Sequence, residues 1–173
     1  MLDVTIVQQL SGLILDPDFS VSSDALETFG AIFTAPRKPR HKANVELREW
    51  VIEHVRELHE IFQRLKKRTE DVEEGDEETH LSNYFSLREI MKLEYTVINE
   101  HRELLEVFSN DQNTLLNTFN LLNVDNDGVQ FEAVLHLSVF VLMPDRSSEI
   151  VQVIKDNKEN IAKCLEEYIP QKS

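Results

Sequence analysis

The residues that could bind a metal ion lie in short motifs, of which the turn Asn123–Gly128 is the most suggestive. Its sequence, NVDNDG, resembles the first half of an EF-hand calcium loop. Such a loop needs a bidentate Glu at its twelfth position. Counted from Asn123, that position holds Val134, whose side chain cannot bind a cation. We therefore interpret the turn as a polar cap of the helix that follows, and a calcium sensor remains an alternative.

Two histidine motifs are also incomplete. The segment His59–Gln63, HEIFQ, resembles the zinc motif HExxH, but Gln63 replaces the second His. The segment Glu77–His80 gives one ExxH, whereas a di-iron site needs two on packed helices. Nucleophile-elbow, phosphate-loop and dinucleotide motifs are absent from the sequence. We therefore expect no catalytic residue, no metal, no cofactor and no small-molecule substrate.

One row of residues stands out for another reason. Tyr84, Arg88 and Lys92 are four residues apart, so they line one face of a predicted helix. A basic and aromatic row is unusual on a chain whose net charge is −14. The simpler interpretation on composition alone is a solvated face on which Arg88 pairs with Glu89, Glu94 or another acidic residue nearby.

Net charge and cysteine content limit the partners and the compartment. The acidic chain would repel nucleic acids and anionic lipids, so we expect neither a nucleic-acid nor a membrane partner and favour a basic surface on a protein. Cys164 stands alone, which excludes an intrachain disulfide and favours a cytoplasmic location. The segment Met1–Leu15 has no basic residue and carries Asp3, unlike a signal peptide.

The strongest predicted helix, Val129–Met143, is apolar on nearly all sides. It must be covered by neighbours on several sides, and it is too short and too polar to span a membrane. Apolar spacing and cap signals predict further helices. They cover Val4–Leu15, Ser22–Phe33, Asn44–Lys67, Tyr84–Ile98, His101–Phe108, Asp111–Leu122, and the segment Ser147–Tyr168 with an interruption at Asp156–Asn157.

The predicted helices form one all-α domain over residues 1–173. A basic loop at Pro36–Lys42 and an acidic loop at 69–80 lie within it. Two short helices followed by a long one, in units of roughly 40–60 residues, are typical of an armadillo or HEAT solenoid. An irregular helical bundle would have the same periodicity.

Three segments carry a resemblance to a known family. They are SSDALETF at Ser22–Phe29, NYFSLREIMKL at Asn83–Leu93 and NLLNVDNDGVQFEAVLHLSVFV at Asn120–Val141. They resemble the C-terminal half of the mouse-protein-25 family, also called calcium-binding protein 39-like, and the similarity covers about Phe19–Tyr168. The resemblance implies an armadillo/HEAT-like right-handed helical solenoid, here of about three helical repeats, without enzymatic activity.

The resemblance also implies a function in kinase signalling and cell polarity. Family members are scaffolds that bind sterile-twenty-type protein kinases, or the STRAD pseudokinase, through a concave face and hold them in an active-like conformation. A separate C-terminal pocket takes a peptide tail of the partner. Tyr84, Arg88 and Lys92 then become partner-binding residues, since aromatic and Arg side chains make strong interface contacts and Arg88 suits a carboxylate.

Four further candidate partner-binding residues depart from the family pattern. Phe119 replaces a pocket Met and remains apolar. Leu116 and Ser138 replace two pocket lysines, and His101 replaces an Arg on the kinase-facing ridge. The lost positive charge implies either that the chain does not recognise such a tail or that its tail differs from the family's. The alternative function is a generic helical interaction module or oligomer subunit that uses the apolar face of Asn44–Lys67.

Overall fold

The computed structural model describes residues 2–34, 42–70 and 77–168, and these ranges form ten α-helices and no strand. In chain order they are α1 Val4–Leu13, α2 Phe19–Thr34, α3 Lys42–Glu53, α4 Val55–Glu70, α5 Glu77–Glu100, α6 Arg102–Ser109, α7 Gln112–Leu121, α8 Asp127–Leu142, α9 Ser148–Asp156 and α10 Lys158–Tyr168.

The helices group into two compact units, the N-terminal unit Met1–Val107 and the C-terminal unit Phe108–Ser173. In the N-terminal unit, α2 packs against α1 and α5, and α4 packs against α5, α1 and α3. In the C-terminal unit, α8 packs against α7 and α10, and α9 packs against α7 and α10. That the whole chain forms one domain stays a prediction.

The start of α2 differs from the prediction. The helix begins at Phe19 because Asp18 Oδ1 accepts a hydrogen bond from the Ser20 amide at 2.8 Å. Ser22, predicted to begin this helix, lies inside it. Its Oγ donates to the carbonyl of Ile14 at 2.6 Å and so ties α2 to the residue that ends α1.

The predicted helix Asn44–Lys67 is two helices, α3 and α4, which are separated at His54. The imidazole stacks on the indole of Trp50 with ring centroids 4.6 Å apart, and His54 Nδ1 lies 3.0 Å from the Trp50 carbonyl oxygen. By contrast, the predicted interruption at Asp156–Asn157 is confirmed, and the break predicted before His101 lies at His101 itself, since α5 continues to Glu100.

Helices extend into both ends of the predicted acidic loop, 69–80. The helix α4 continues to Glu70 and α5 begins at Glu77, so a loop with the predicted bounds is wrong. Residues 71–76 lie outside the described residues, as does most of the predicted basic loop, whose last residue, Lys42, begins α3.

The apolar face of Asn44–Lys67, which the alternative function uses for oligomerisation, is buried in the core of the N-terminal unit. Leu58 and Phe62 of α4 are fully buried, and the Phe62 ring meets Phe29 of α2 edge-on at 5.7 Å. A face packed inside its own unit is not available to a second chain. The surface assigned to the alternative function is therefore wrong.

In the C-terminal unit, α8 is buried on several sides, as predicted, except for one face. Its buried residues include Val129, Ala133, Leu137 and Phe140, and the Phe140 ring lies 5.0 Å from that of Phe108. The remaining face, hereafter the open face of α8, has exposed Phe131 and Leu142 and half-buried Leu135 and Ser138.

Candidate functional site

The predicted row of Tyr84, Arg88 and Lys92 lies on the open side of α5. Tyr84 is half-buried and Arg88 and Lys92 are exposed. Leu87 and Met91, three residues after Tyr84 and Arg88, lie beside the row and are among the buried residues that attach α5 to the rest of its unit. The row therefore runs along the edge of the packing face of α5, with half-buried Tyr84 nearest to the core and exposed Lys92 farthest from it.

The charged side chains of the row form only weak ion pairs with neighbouring residues. Lys92 Nζ lies 3.8 Å from Glu89 Oε2, and Lys92 remains 60% exposed, so the pair contributes little. Glu94, the other carboxylate suggested for Arg88, is buried and bonded to Lys66 on α4. Arg88 makes no ion pair with the side chains that the structure describes, so its guanidinium remains available to a partner's carboxylate.

A surface groove of 480 Å³ lies beside the row between α2 and α5. Most of its surface is apolar and comes from side chains such as Phe19, Leu26, Phe85, Ile90 and Leu93, although Ser and Thr residues also line it. Charged residues that line it are Glu27, Glu89 and Lys92. Lys92 therefore belongs both to the row and to the groove, which makes the two parts one continuous surface.

Two features give the groove its shape. The rings of Phe19 and Phe85 lie 6.1 Å apart, one from each helix, and both side chains are about half exposed or more. At Gly30 of α2, a Cβ would lie 3.2 Å from Leu93 Cδ1. The missing side chain lets α2 and α5 approach closely under the groove.

His101 lies elsewhere, in the core of the N-terminal unit. It is buried, its Nε2 lies 3.2 Å from the Phe33 carbonyl oxygen, and the two rings meet edge-on. The side chain closes the break between α5 and α6 and presents little surface to a partner. A partner-binding role for His101 stays a prediction.

The other predicted site residues lie in the C-terminal unit. Leu116, 43% exposed, and half-buried Phe119 are three residues apart on one face of α7. Ser138 lies on the open face of α8, where its Oγ donates to the Leu135 carbonyl at 2.6 Å. Because the hydroxyl is already bonded, this face is apolar in character, with Phe131 as its exposed aromatic side chain.

The DNDG turn serves as a helix cap. Asn126 Oδ1 accepts from the Val129 amide at 3.0 Å, and Gln130 Nε2 donates to the Val124 carbonyl at 2.7 Å. Val134, at the position where calcium would need a Glu, is buried in α8. Asn126 of the turn and Gln130 of α8 thus close the junction between α7 and α8.

We expect Asn126→Ala to lower the free energy of unfolding by about 1 kcal/mol, because α8 loses its N-cap. Chemical denaturation measures the change. Asn120→Ala, the same substitution at an exposed site in α7, is the control and should be close to neutral.

Calorimetry with calcium should give no binding heat, and measurable heat would revive the calcium-sensor alternative.

Within the described ranges, no group of three or more His, Cys, Asp and Glu side chains is arranged to hold a metal ion. None of the helices in these ranges combines the length and apolar character that crossing a membrane requires.

Comparison with known proteins gives the family. The Mo25-like family model matches residues 1–173. The degreening-related gene dee76 protein of Auxenochlorella protothecoides is 26% identical over 172 residues, which cover 97% of this chain and 47% of that protein. A Mo25-like protein of Schizosaccharomyces pombe is 25% identical over 158 residues, covering 90% and 42%.

The chain therefore spans less than half the length of these two curated relatives. The resemblance read from the three sequence segments is confirmed, and so is the all-α, armadillo/HEAT-like fold class. The chain belongs to the Mo25-like family.

Proposed function

We propose that this protein is a non-enzymatic scaffold that binds a sterile-twenty-type protein kinase, or a STRAD-like pseudokinase, and supports its active conformation. Membership of the Mo25-like family supports a helical scaffold. The observation that carries the proposal is the surface of α2 and α5 on which exposed Arg88 and Lys92 adjoin an apolar groove.

This surface combines the two kinds of contact that give protein interfaces their affinity. Tyr and Arg are enriched among interface residues whose truncation is costly, and such residues lie in well-packed pockets from which the surrounding contacts exclude water. A partner side chain placed between Phe19 and Phe85 would remove apolar surface from water. A partner carboxylate placed over Arg88 would form a charge-assisted, bidentate pair.

The second contact in the proposal is a peptide tail on the C-terminal unit. Leu116 and Phe119 on α7 and the open face of α8 offer exposed apolar surface without a lysine. A tail that depends on acidic residues would find no charge partner among these side chains. We therefore propose that the tail binds through apolar and aromatic residues.

We expect Arg88→Ala to weaken kinase binding by roughly 30-fold, which corresponds to about 2 kcal/mol for one central Arg. Titration of the 173-residue chain against purified sterile-twenty-type kinases, followed by fluorescence anisotropy, measures it. Arg56→Ala is the matched control, since it removes the same charge from an exposed site on α4 and should leave affinity unchanged.

Equal affinity of the Arg88→Ala and Arg56→Ala variants would remove the α5 row from the interface. Kinase activity measured in the same titration separates docking from activation. Binding without a rise in activity would restrict the protein to an adaptor. Absence of binding to every kinase of the group would reject the proposed partner.

A further inference from the structure

The first helix, α1, has two apolar faces, and the part of the chain that the structure describes buries only one of them. Val7, Ser11 and Ile14 are buried in the N-terminal unit. Ile6 and Leu13, one heptad apart, are 54% and 46% exposed. We call the second face, made of Ile6, half-buried Leu10 and Leu13, the α1 stripe.

The α1 stripe has the spacing by which one helix binds another. Its residues stand at i, i+4 and i+7, so they form a continuous line along α1. Amphipathic helices dock on apolar surfaces through anchors with this same spacing. A line of large, half-exposed side chains on a single helix is therefore a surface suited to a helical partner.

The α1 stripe differs from the rest of the chain in charge. The segment Val4–Leu13 contains no charged residue, although the chain as a whole has a net charge of −14. Acidic residues stand at both ends of α1: exposed Asp3 at its N-cap, and Asp16 and exposed Asp18 just beyond its C-terminus. The apolar stripe is thus bordered by negative charge at both ends.

We propose that the α1 stripe binds an amphipathic helix of a partner protein that carries basic residues at both ends of its apolar face. A second copy of this chain is the poorer fit. Pairing two copies of α1 would bring the acidic ends of both helices, and two chains of net charge −14, close together. A basic helix would neutralise the same carboxylates.

The test uses two labelled probe peptides of about 14 residues with leucines at i, i+4, i+7 and i+11. One has lysines at both ends and the other has glutamates. Anisotropy titrations of the 173-residue chain should show at least tenfold tighter binding of the lysine peptide, and the difference should shrink at high salt. Equal binding of the two peptides would overturn the assignment of a basic partner.

Variants locate the binding. Ile6→Glu should weaken binding of the lysine peptide at least tenfold. Ile52→Glu is the matched control, because Ile52 on α3 is 48% exposed and the chemical change is the same. Circular dichroism confirms that both variants are folded. An equal loss in both variants would overturn the site.

Sedimentation equilibrium of the chain without peptide tests whether a second copy of this chain binds the α1 stripe instead. A monomer is expected. A dimer that Ile6→Glu dissociates and Ile52→Glu leaves intact would assign the α1 stripe to a second copy and overturn the proposal.

Discussion

Glu94→Ala is expected to lower the free energy of unfolding by about 3–5 kcal/mol, because it leaves a buried ammonium without its counter-charge. Glu94 Oε2 lies 2.6 Å from Lys66 Nζ, and the two side chains are 0% and 4% exposed. Gln63 Nε2 also donates to Glu94, at 3.3 Å. The pair joins α4 to α5, so its loss is felt in the core of the N-terminal unit.

Urea denaturation followed by circular dichroism measures this loss. Glu89→Ala is the matched control on the same helix, since it breaks an exposed pair with Lys92 and should cost less than about 1 kcal/mol. The double variant Lys66→Met, Glu94→Leu should recover most of the stability, because it removes both buried charges. Equal losses for the two single Glu variants would contradict the buried pair.

The buried pair also bears on the proposed binding surface. Glu94 points from α5 toward α4, whereas Lys92, two residues earlier, lies on the open side of the same helix. A rotation of α5 that moved the row of Tyr84, Arg88 and Lys92 would have to break the pair. We infer that the pair fixes the orientation in which the row is exposed.

The sequence predicted those parts of the fold that depend on neighbouring residues. The helix α8 and the interruptions near His101 and at Asn157 follow from apolar spacing and polar cap residues. The start of α2 was wrong because two cap signals compete there, and Asp18, which lies before Ser22, makes the cap. The break at His54 has no Gly or Pro signal in the sequence, and the stacking of His54 on Trp50 is visible only in the structure.

The candidate site also has one part that the sequence predicted and one part that it did not. The Tyr84, Arg88 and Lys92 row follows from spacing on one helix. The groove beside it needs two helices that are far apart in sequence, and Phe19 and Phe85 read as ordinary core residues until α2 and α5 are packed together. A Gly at position 30 inside a helical pattern is the one local signal of a close approach.

Contacts distant in sequence left no comparable local signal. Lys66 and Glu94 each look like solvated residues of a charged helix, and only their packing makes them a buried pair. The open face of α8 was also missed. Apolar residues on nearly all sides predicted a helix covered on several sides but did not show which face stays open, and Phe131 and Leu142 remain exposed.

Truncating a side chain on the buried part of α8 should destabilise the protein far more than truncating one on its open face. We expect Phe140→Ala to lower the free energy of unfolding of the C-terminal unit by about 3–5 kcal/mol. The Phe140 ring is fully buried and packs on Phe108 at 5.0 Å, so truncation leaves a cavity that its neighbours fill only in part. Urea denaturation followed by amide hydrogen exchange in α8 measures the loss.

Phe131→Ala provides the matched comparison, because the same atoms are removed from the same helix at a side chain that is 47% exposed. Its cost should be about 1 kcal/mol or less. If the open face of α8 binds the apolar tail of a partner, Phe131→Ala should weaken tail binding while the unit stays folded. Comparable destabilisation by both variants would show that Phe131 is covered in solution, and the open face would then be part of the core.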